Sequence, residues 1–139
     1  MQKESWTDVN GERVTIDNYK NKVILMNFWA TWCAPCIREL PSINRLRKRI
    51  NSSDFEVVAI NLDRKGEQKV LELLKKLKLD SMDLYFDPRG IFAQSVGVSV
   101  MPTTIIYGRK GHEHGRLVGS AEWDSDEALA LLGYYIDIK

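Results

Sequence analysis

The chain has 139 residues, 44% of them hydrophobic, and its 20 Lys and Arg against 19 Asp and Glu leave a net charge of +1. That length is expected to make one domain, 1–139, with a core that needs no staples, and the charge balance gives no reason to expect nucleic acid or an anionic membrane surface as partner. No run reaches the roughly 18 apolar residues of a membrane span, and Met1 to Ser5 lacks the apolar core of a signal peptide, so a soluble chain is expected.

Taken in chain order, Asp8-Val9-Asn10-Gly11-Glu12 reads as a turn and Val14-Thr15-Ile16 as a short alternating strand, together a hairpin over about 5–19. Val23 to Trp29 is mostly apolar and β-favouring, the pattern of a buried strand. From Cys36 to about Asn51 the apolar residues Leu40, Ile43, Leu46 and Ile50 predict a helix with one buried face. Pro41 should kink it, and Arg45, Arg47, Lys48 and Arg49 should form its solvated face. Phe55 to Leu62 is a second apolar strand, and strand–helix–strand of this kind makes a βαβ unit with parallel strands.

Val70, Leu73, Leu74 and Leu77 have the spacing of an amphipathic helix within 66–79. A short strand at Leu84-Tyr85-Phe86, a turn at Asp87-Pro88-Arg89-Gly90 and a helical stretch from Ile91 to Val96 follow. Thr103 to Tyr107 reads as a strand opened by Pro102, and Gly108 to Gly111 closes a hairpin onto Arg116-Leu117-Val118. Asp124 with Glu127 reads as a helix cap, and Ala128, Leu131, Leu132 and Tyr135 as the buried stripe of a last helix.

The chemistry concentrates in Trp29-Ala30-Thr31-Trp32-Cys33-Ala34-Pro35-Cys36, which holds both cysteines and two of the four tryptophans. The thiols fall where a strand ends and a helix begins, at the carboxyl end of a strand where open α/β sheets place their sites. Unpaired N–H groups and the positive dipole end of the helix stabilise an anion there, so Cys33 is expected to be the exposed nucleophilic thiolate and Cys36, one turn in, the resolving thiol. Pro35 is tolerated in the first turn because its missing N–H has no intrahelical partner.

Two cysteines cannot make a four-thiolate zinc site, and His112 and His114 lack the spacing of a Cys2His2 site. Those histidines belong at the far end of the last hairpin, roughly 20 Å from Cys33 at about 3.3 Å per strand residue, so no metal site is expected. A purely structural disulfide is the weaker reading, since a loop of two intervening residues constrains little of the unfolded chain.

W-C-x-P-C after an apolar strand is similar to the thioredoxin superfamily, and Asn27 to Cys36 more specifically resembles its TlpA/ResA branch of bacterial thiol-disulfide reductases. Met101-Pro102-Thr103-Thr104 falls where that superfamily carries a cis-proline, and Gly119-Ser120-Ala121-Glu122-Trp123 resembles a TlpA-like segment after the last strand, so the likeness runs from about Val9 to Ile136. It implies an α/β, thioredoxin-like fold: a central mixed β-sheet flanked by helices, with an N-terminal β-hairpin and a helix-strand insertion over about 66–90. It also implies a protein-disulfide reductase without a cofactor, with Trp32, Ala34, Pro35 and a cis-Pro102 supporting Cys33 and Cys36. Met101, Trp32, Glu122 and Trp123 would meet the substrate, Met101 through its backbone in a small version of strand addition.

The expected partners are a disulfide-containing client protein and a membrane-bound dithiol electron donor, and a monomer is expected. The branch is typically periplasmic or otherwise extracytoplasmic and held by an N-terminal membrane anchor, which this sequence does not include. Ala34-Pro35 resembles reducing members, because strongly oxidising ones carry a histidine between the cysteines. One departure is that Asn27 and Ala59 stand where thioredoxins pair a buried acid with a lysine, which leaves the proton acceptor for Cys36 open, with Glu122 as a candidate.

TlpA-like clients suggest cytochrome oxidase assembly. Two alternatives stand beside that reading. A cytochrome c maturation thioredoxin usually carries an acid after the cis-proline, where this chain has Thr103. A Cu(I)-binding assembly factor would use Cys33 and Cys36 as ligands, but such proteins usually have three residues between the cysteines and a nearby histidine.

Overall fold

The computed structural model describes residues 4–138. Strands β1 (Trp6–Asp8) and β2 (Arg13–Val14) form an antiparallel hairpin, whose turn is closed by the Asp8 carboxylate accepting the N–H groups of Asn10 and Glu12 at 2.8 and 3.0 Å. The strand expected to run on to Ile16 stops at Val14. Asn18 Oδ1 accepts the Thr15 N–H at 2.8 Å, and this local bond turns the chain into a 3-10 helix over Ile16–Tyr19 instead of extending the ladder.

The remaining elements are β3 (Val23–Trp29), α1 (Ala34–Arg49), β4 (Phe55–Asn61), α2 (Glu67–Lys76), β5 (Asp83–Phe86), α3 (Ile91–Ser95), β6 (Thr103–Tyr107), β7 (Glu113–Val118) and α4 (Asp126–Asp137). The seven strands make one mixed sheet in the order β2-β1-β5-β4-β3-β6-β7. β3 runs parallel to β4 and antiparallel to β6, so Asn27 lies between Ala59 and Thr104.

All of β3 is buried, as a strand covered on both faces must be. Val23, Leu25 and Trp29 pack with Leu40, Ile43 and Leu46 of α1, Val70 of α2 and Leu132 of α4. Ile24, Met26 and Phe28 face the other way, with Trp6, Phe92 and Ile105. The two-residue alternation puts Asn27 on the α1 side.

Helix α1 continues through Pro41 to Arg49. Its basic run is largely solvated, as expected: Arg45, Lys48 and Arg49 are exposed, and Arg47 is half-buried. Arg45 pairs with Asp124 at 2.7 Å, Lys48 with Asp80 at 3.0 Å, and Arg47 with Glu56 at 3.6 Å, and the Arg47 guanidinium also lies 6.0 Å from the centre of the Phe55 ring. Long basic side chains lay their stems along apolar surface while pairing their heads. In α2 only Val70 is fully buried, and Leu73, Leu74 and the C-cap residue Leu77 are half-buried.

Two expectations for α4 are corrected. Its N-cap is Ser125, whose Oγ accepts the Ala128 N–H at 3.2 Å, because the Asp124 carboxylate is taken by Arg45. Leu131 is exposed, since it lies on the helix flank that opens onto a cleft beside β7. Leu132 carries the burial instead, with Ala128 and Tyr135 half-buried beside it.

Candidate active site

The loop after β3 is tied to the end of β4. Thr31 donates its N–H to Asp63 Oδ1 at 2.8 Å and its hydroxyl to Oδ2 at 2.5 Å. Asp63 is itself fixed by Asn61, which donates Nδ2–H to Oδ1 at 3.0 Å and accepts the Asp63 N–H at 2.9 Å. A side chain in a carboxyl-end loop of the sheet thus positions the segment that delivers the cysteines.

Cys33 and Cys36 are joined in a disulfide with Cα atoms 5.3 Å apart. Cys33 is the N-cap of α1, and its Sγ accepts the Cys36 N–H at 3.3 Å, the position where a sulfur anion meets unpaired helix N–H groups. In this oxidised state Cys33 is 6% exposed and Cys36 is fully covered. The nucleophile expected to be exposed is therefore only the more accessible of two largely buried sulfurs. Ala34 and Pro35 occupy the first two helical positions. The Met101–Pro102 bond is cis, as the resemblance implied, and the Pro102 carbonyl accepts the Gly119 N–H at 2.8 Å.

Of the residues expected to meet a substrate, Trp32 is 70% exposed, Met101 is half-buried, and Glu122 is exposed with Arg45 at 3.8 Å. Trp123 is buried rather than at the surface, because its indole N–H is committed to an internal acid.

That acid is Glu39, 2% exposed and one turn beyond Cys36 on α1. Its Oε1 accepts Asn27 Nδ2–H at 2.9 Å, and its Oε2 accepts the Ala121 N–H at 2.8 Å and the Trp123 indole N–H at 3.0 Å. Burial holds the carboxyl above its ordinary range, opposed by these three donors. Asn27 Nδ2 also donates to Thr104 Oγ1 at 2.9 Å, while Asn27 Oδ1 is buried with no hydrogen-bond partner among the described residues. Ser42 braces the same junction, donating to the Glu39 carbonyl at 2.8 Å and accepting the Trp123 N–H at 3.0 Å.

Sequence reasoning missed Glu39, Thr104 and Asp63. A signal for Glu39 was present: it sits three residues after Cys36 and four before Ile43, inside the apolar face of α1, and a carboxylate there must be partnered. His112 and His114 are exposed, with His114 stacked on Tyr135 at 4.8 Å between ring centres.

A mixed sheet flanked by helices, a two-cysteine pair at the start of α1 and a cis X-Pro bond leading into β6 define a thioredoxin-like protein of the TlpA/ResA kind. The chain belongs to the Redoxin family, whose model matches residues 3–132. It is 37% identical over 109 residues to the thioredoxin-like protein YneN of Bacillus subtilis, and 29% identical over 105 residues to the thiol-disulfide oxidoreductase ResA of Bacillus thuringiensis. These alignments cover 74% and 76% of this chain, which spans about 60% of the length of either relative. A DsbE-type thiol:disulfide interchange protein of Chlorobium tepidum superposes with a TM-score of 0.84 at 26% identity, over 97% of this chain and 94% of that one.

Proposed function

We propose that the protein is a thiol-disulfide oxidoreductase that reduces disulfides of client proteins. The carrying observation is the Cys33–Cys36 pair itself, with Cys33 Sγ at the N-cap of α1 and a buried acid one turn beyond Cys36. In the reduced protein the Cys33 thiolate attacks a client disulfide and displaces one client thiolate, leaving a mixed disulfide. Cys36 then passes its thiol proton to Glu39 and attacks Cys33 Sγ, releasing the second client thiolate. The client leaves reduced, and the protein keeps the disulfide. A dithiol donor must return two electrons before the next cycle, and the proton left on Glu39 then restores the Cys36 thiol.

Glu39 replaces Glu122 as the acceptor in this reading, because Glu122 is exposed on the outer side of the junction whereas Glu39 shares the inner face of α1 with Cys36. The exposed Trp32 ring and the Met101 backbone are the surfaces offered to a client strand. Resemblance to the TlpA/ResA branch supports an extracytoplasmic, membrane-anchored protein working as a monomer, with a membrane-bound donor and cytochrome oxidase assembly proteins as clients. Among the described residues no helix is long and apolar enough to cross a membrane.

The test is equilibration of the pair against dithiothreitol or glutathione buffers, read by tryptophan fluorescence, together with turnover of a disulfide-bonded client peptide. A potential near or below about −230 mV is expected of a reductase, and one near about −120 mV would make the protein an oxidant. Absence of turnover in both directions would remove the reading.

A further inference from the structure

We propose that the Asn27 carboxamide is a two-position partner of Glu39, turning end for end when Glu39 takes up a proton. Oε2 of Glu39 faces the Ala121 N–H and the Trp123 indole N–H, both of which can only donate. A proton on Glu39 must therefore sit on Oε1. In the present arrangement Oε1 faces another donor, Asn27 Nδ2, at 2.9 Å, so the new O–H would point at an N–H with nothing to accept it.

The acceptor it needs is on the same side chain. Asn27 Oδ1 is buried and unpartnered among the described residues. A half-turn about the terminal torsion, a soft and nearly two-fold rotation, exchanges Oδ1 with Nδ2. Oδ1 then accepts from the Glu39 O–H. Thr104 does not oppose the turn: its hydroxyl accepts from Nδ2 at 2.9 Å now and can rotate to donate to Oδ1 afterwards. With Glu39 ionised, the turned amide would set an oxygen against a carboxylate. One end of the amide lacks a partner in either orientation, so the charge on Glu39 decides between them.

Asn27 is in this account a positioning residue. It never takes the proton, but it gives both forms of the acid a hydrogen bond, where a fixed donor would serve only the carboxylate. The balance is simple: Cys36 S–H and the Glu39 carboxylate become the Cys36 thiolate and the Glu39 carboxylic acid, and the amide reverses with that transfer. The inference rests on Glu39 being the acceptor for Cys36, and the test separates the two.

The Glu39→Gln variant isolates the turn. Its side-chain oxygen must face Ala121 and Trp123, so its NH2 group faces Asn27 permanently, as the protonated acid would. In NMR spectra of the wild type above the Glu39 midpoint, the Asn27 NH2 protons should give cross-relaxation peaks to the Thr104 methyl group. In Glu39→Gln those peaks should fall several-fold and the Asn27 side-chain nitrogen should shift. The same change should appear in the wild type on acidification, with the midpoint of the Glu39 carboxyl carbon. Peaks that persist unchanged in Glu39→Gln, or through the Glu39 titration, overturn the proposal. Rapid-quench kinetics of the mixed disulfide test the other part: a turned Asn27 with release at the wild-type rate leaves the switch standing and removes Glu39 as acceptor. Slowed release with an unturned Asn27 does the reverse.

Discussion

The indole of Trp123 reaches across 84 residues of sequence to donate to Glu39 at 3.0 Å. It is one of three N–H donors that make a buried carboxylate tolerable one turn from Cys36. Hydrogen bonds to charged groups contribute about 1.5–3 kcal/mol, and more is lost when the partner stays buried. Trp123→Phe should therefore destabilise the oxidised protein by roughly 1–3 kcal/mol in denaturant titrations at neutral pH, and raise the Glu39 midpoint. A loss below roughly 0.5 kcal/mol would mean that water replaces the indole.

Glu39 also makes stability depend on pH with a definite sign. Its folded value lies above the ordinary 4.5 because burial disfavours the charged form. The folded protein thus holds the proton more tightly than the unfolded chain between those two values, and the slope of stability with pH is negative there. The contribution is fully present below about 4.5 and is lost as pH rises through the folded value. Urea unfolding of wild type and Glu39→Gln over pH 4–9 should show the difference moving against the wild type as pH rises. A difference that grows in favour of the wild type would require a depressed value.

Cys36→Ser should retain attack by Cys33 and stop at the mixed disulfide, which intact-mass spectrometry would show as a stoichiometric adduct with the client peptide. Cys33→Ser should form no adduct and bring turnover to the uncatalysed background. The reverse pattern would exchange the roles of the two thiols.

Asp63 is placed to hold the active-site loop through Thr31. Asp63→Ala leaves the Thr31 N–H and hydroxyl without their partner and should cost about 1–3 kcal/mol, with faster hydrogen exchange confined to the amides of Thr31 to Cys33. Asp63→Asn keeps one acceptor and should lose less than the alanine variant. Equal exchange in both variants and the wild type would show that the loop is held by its other contacts.

The central βαβ unit was readable because its signals are redundant: β3 is a continuous apolar run, and Leu40, Ile43 and Leu46 mark one face of α1. The cysteine pair was readable from its position between them. The cis bond at Pro102 was not, since nothing local to Met101-Pro102 distinguishes it from an ordinary trans bond, and only the resemblance pointed there. Glu39 was passed over because a charged residue in a helical pattern is taken for the wet face. Its neighbours Cys36 and Leu40 contradict that, but its donors come from β3 and the 121–123 segment, which periodicity in α1 cannot reveal. Asp124 reads as the cap in place of Ser125 because Arg45, which occupies its carboxylate, lies 79 residues away and is invisible in the local sequence.

The separations involved have a consequence for how the molecule comes together during synthesis. The two sulfurs are three residues apart, so they can meet as soon as the start of α1 has emerged. Two of the donors to Glu39 lie 82 and 84 residues downstream of it, and such distant contacts wait for most of the chain. A nascent chain halted before β7 would thus carry both thiols beside an acid still bathed in water and of ordinary strength. Sulfur chemistry is available to it early; the full set of donors around Glu39 arrives only with the last quarter of the polypeptide.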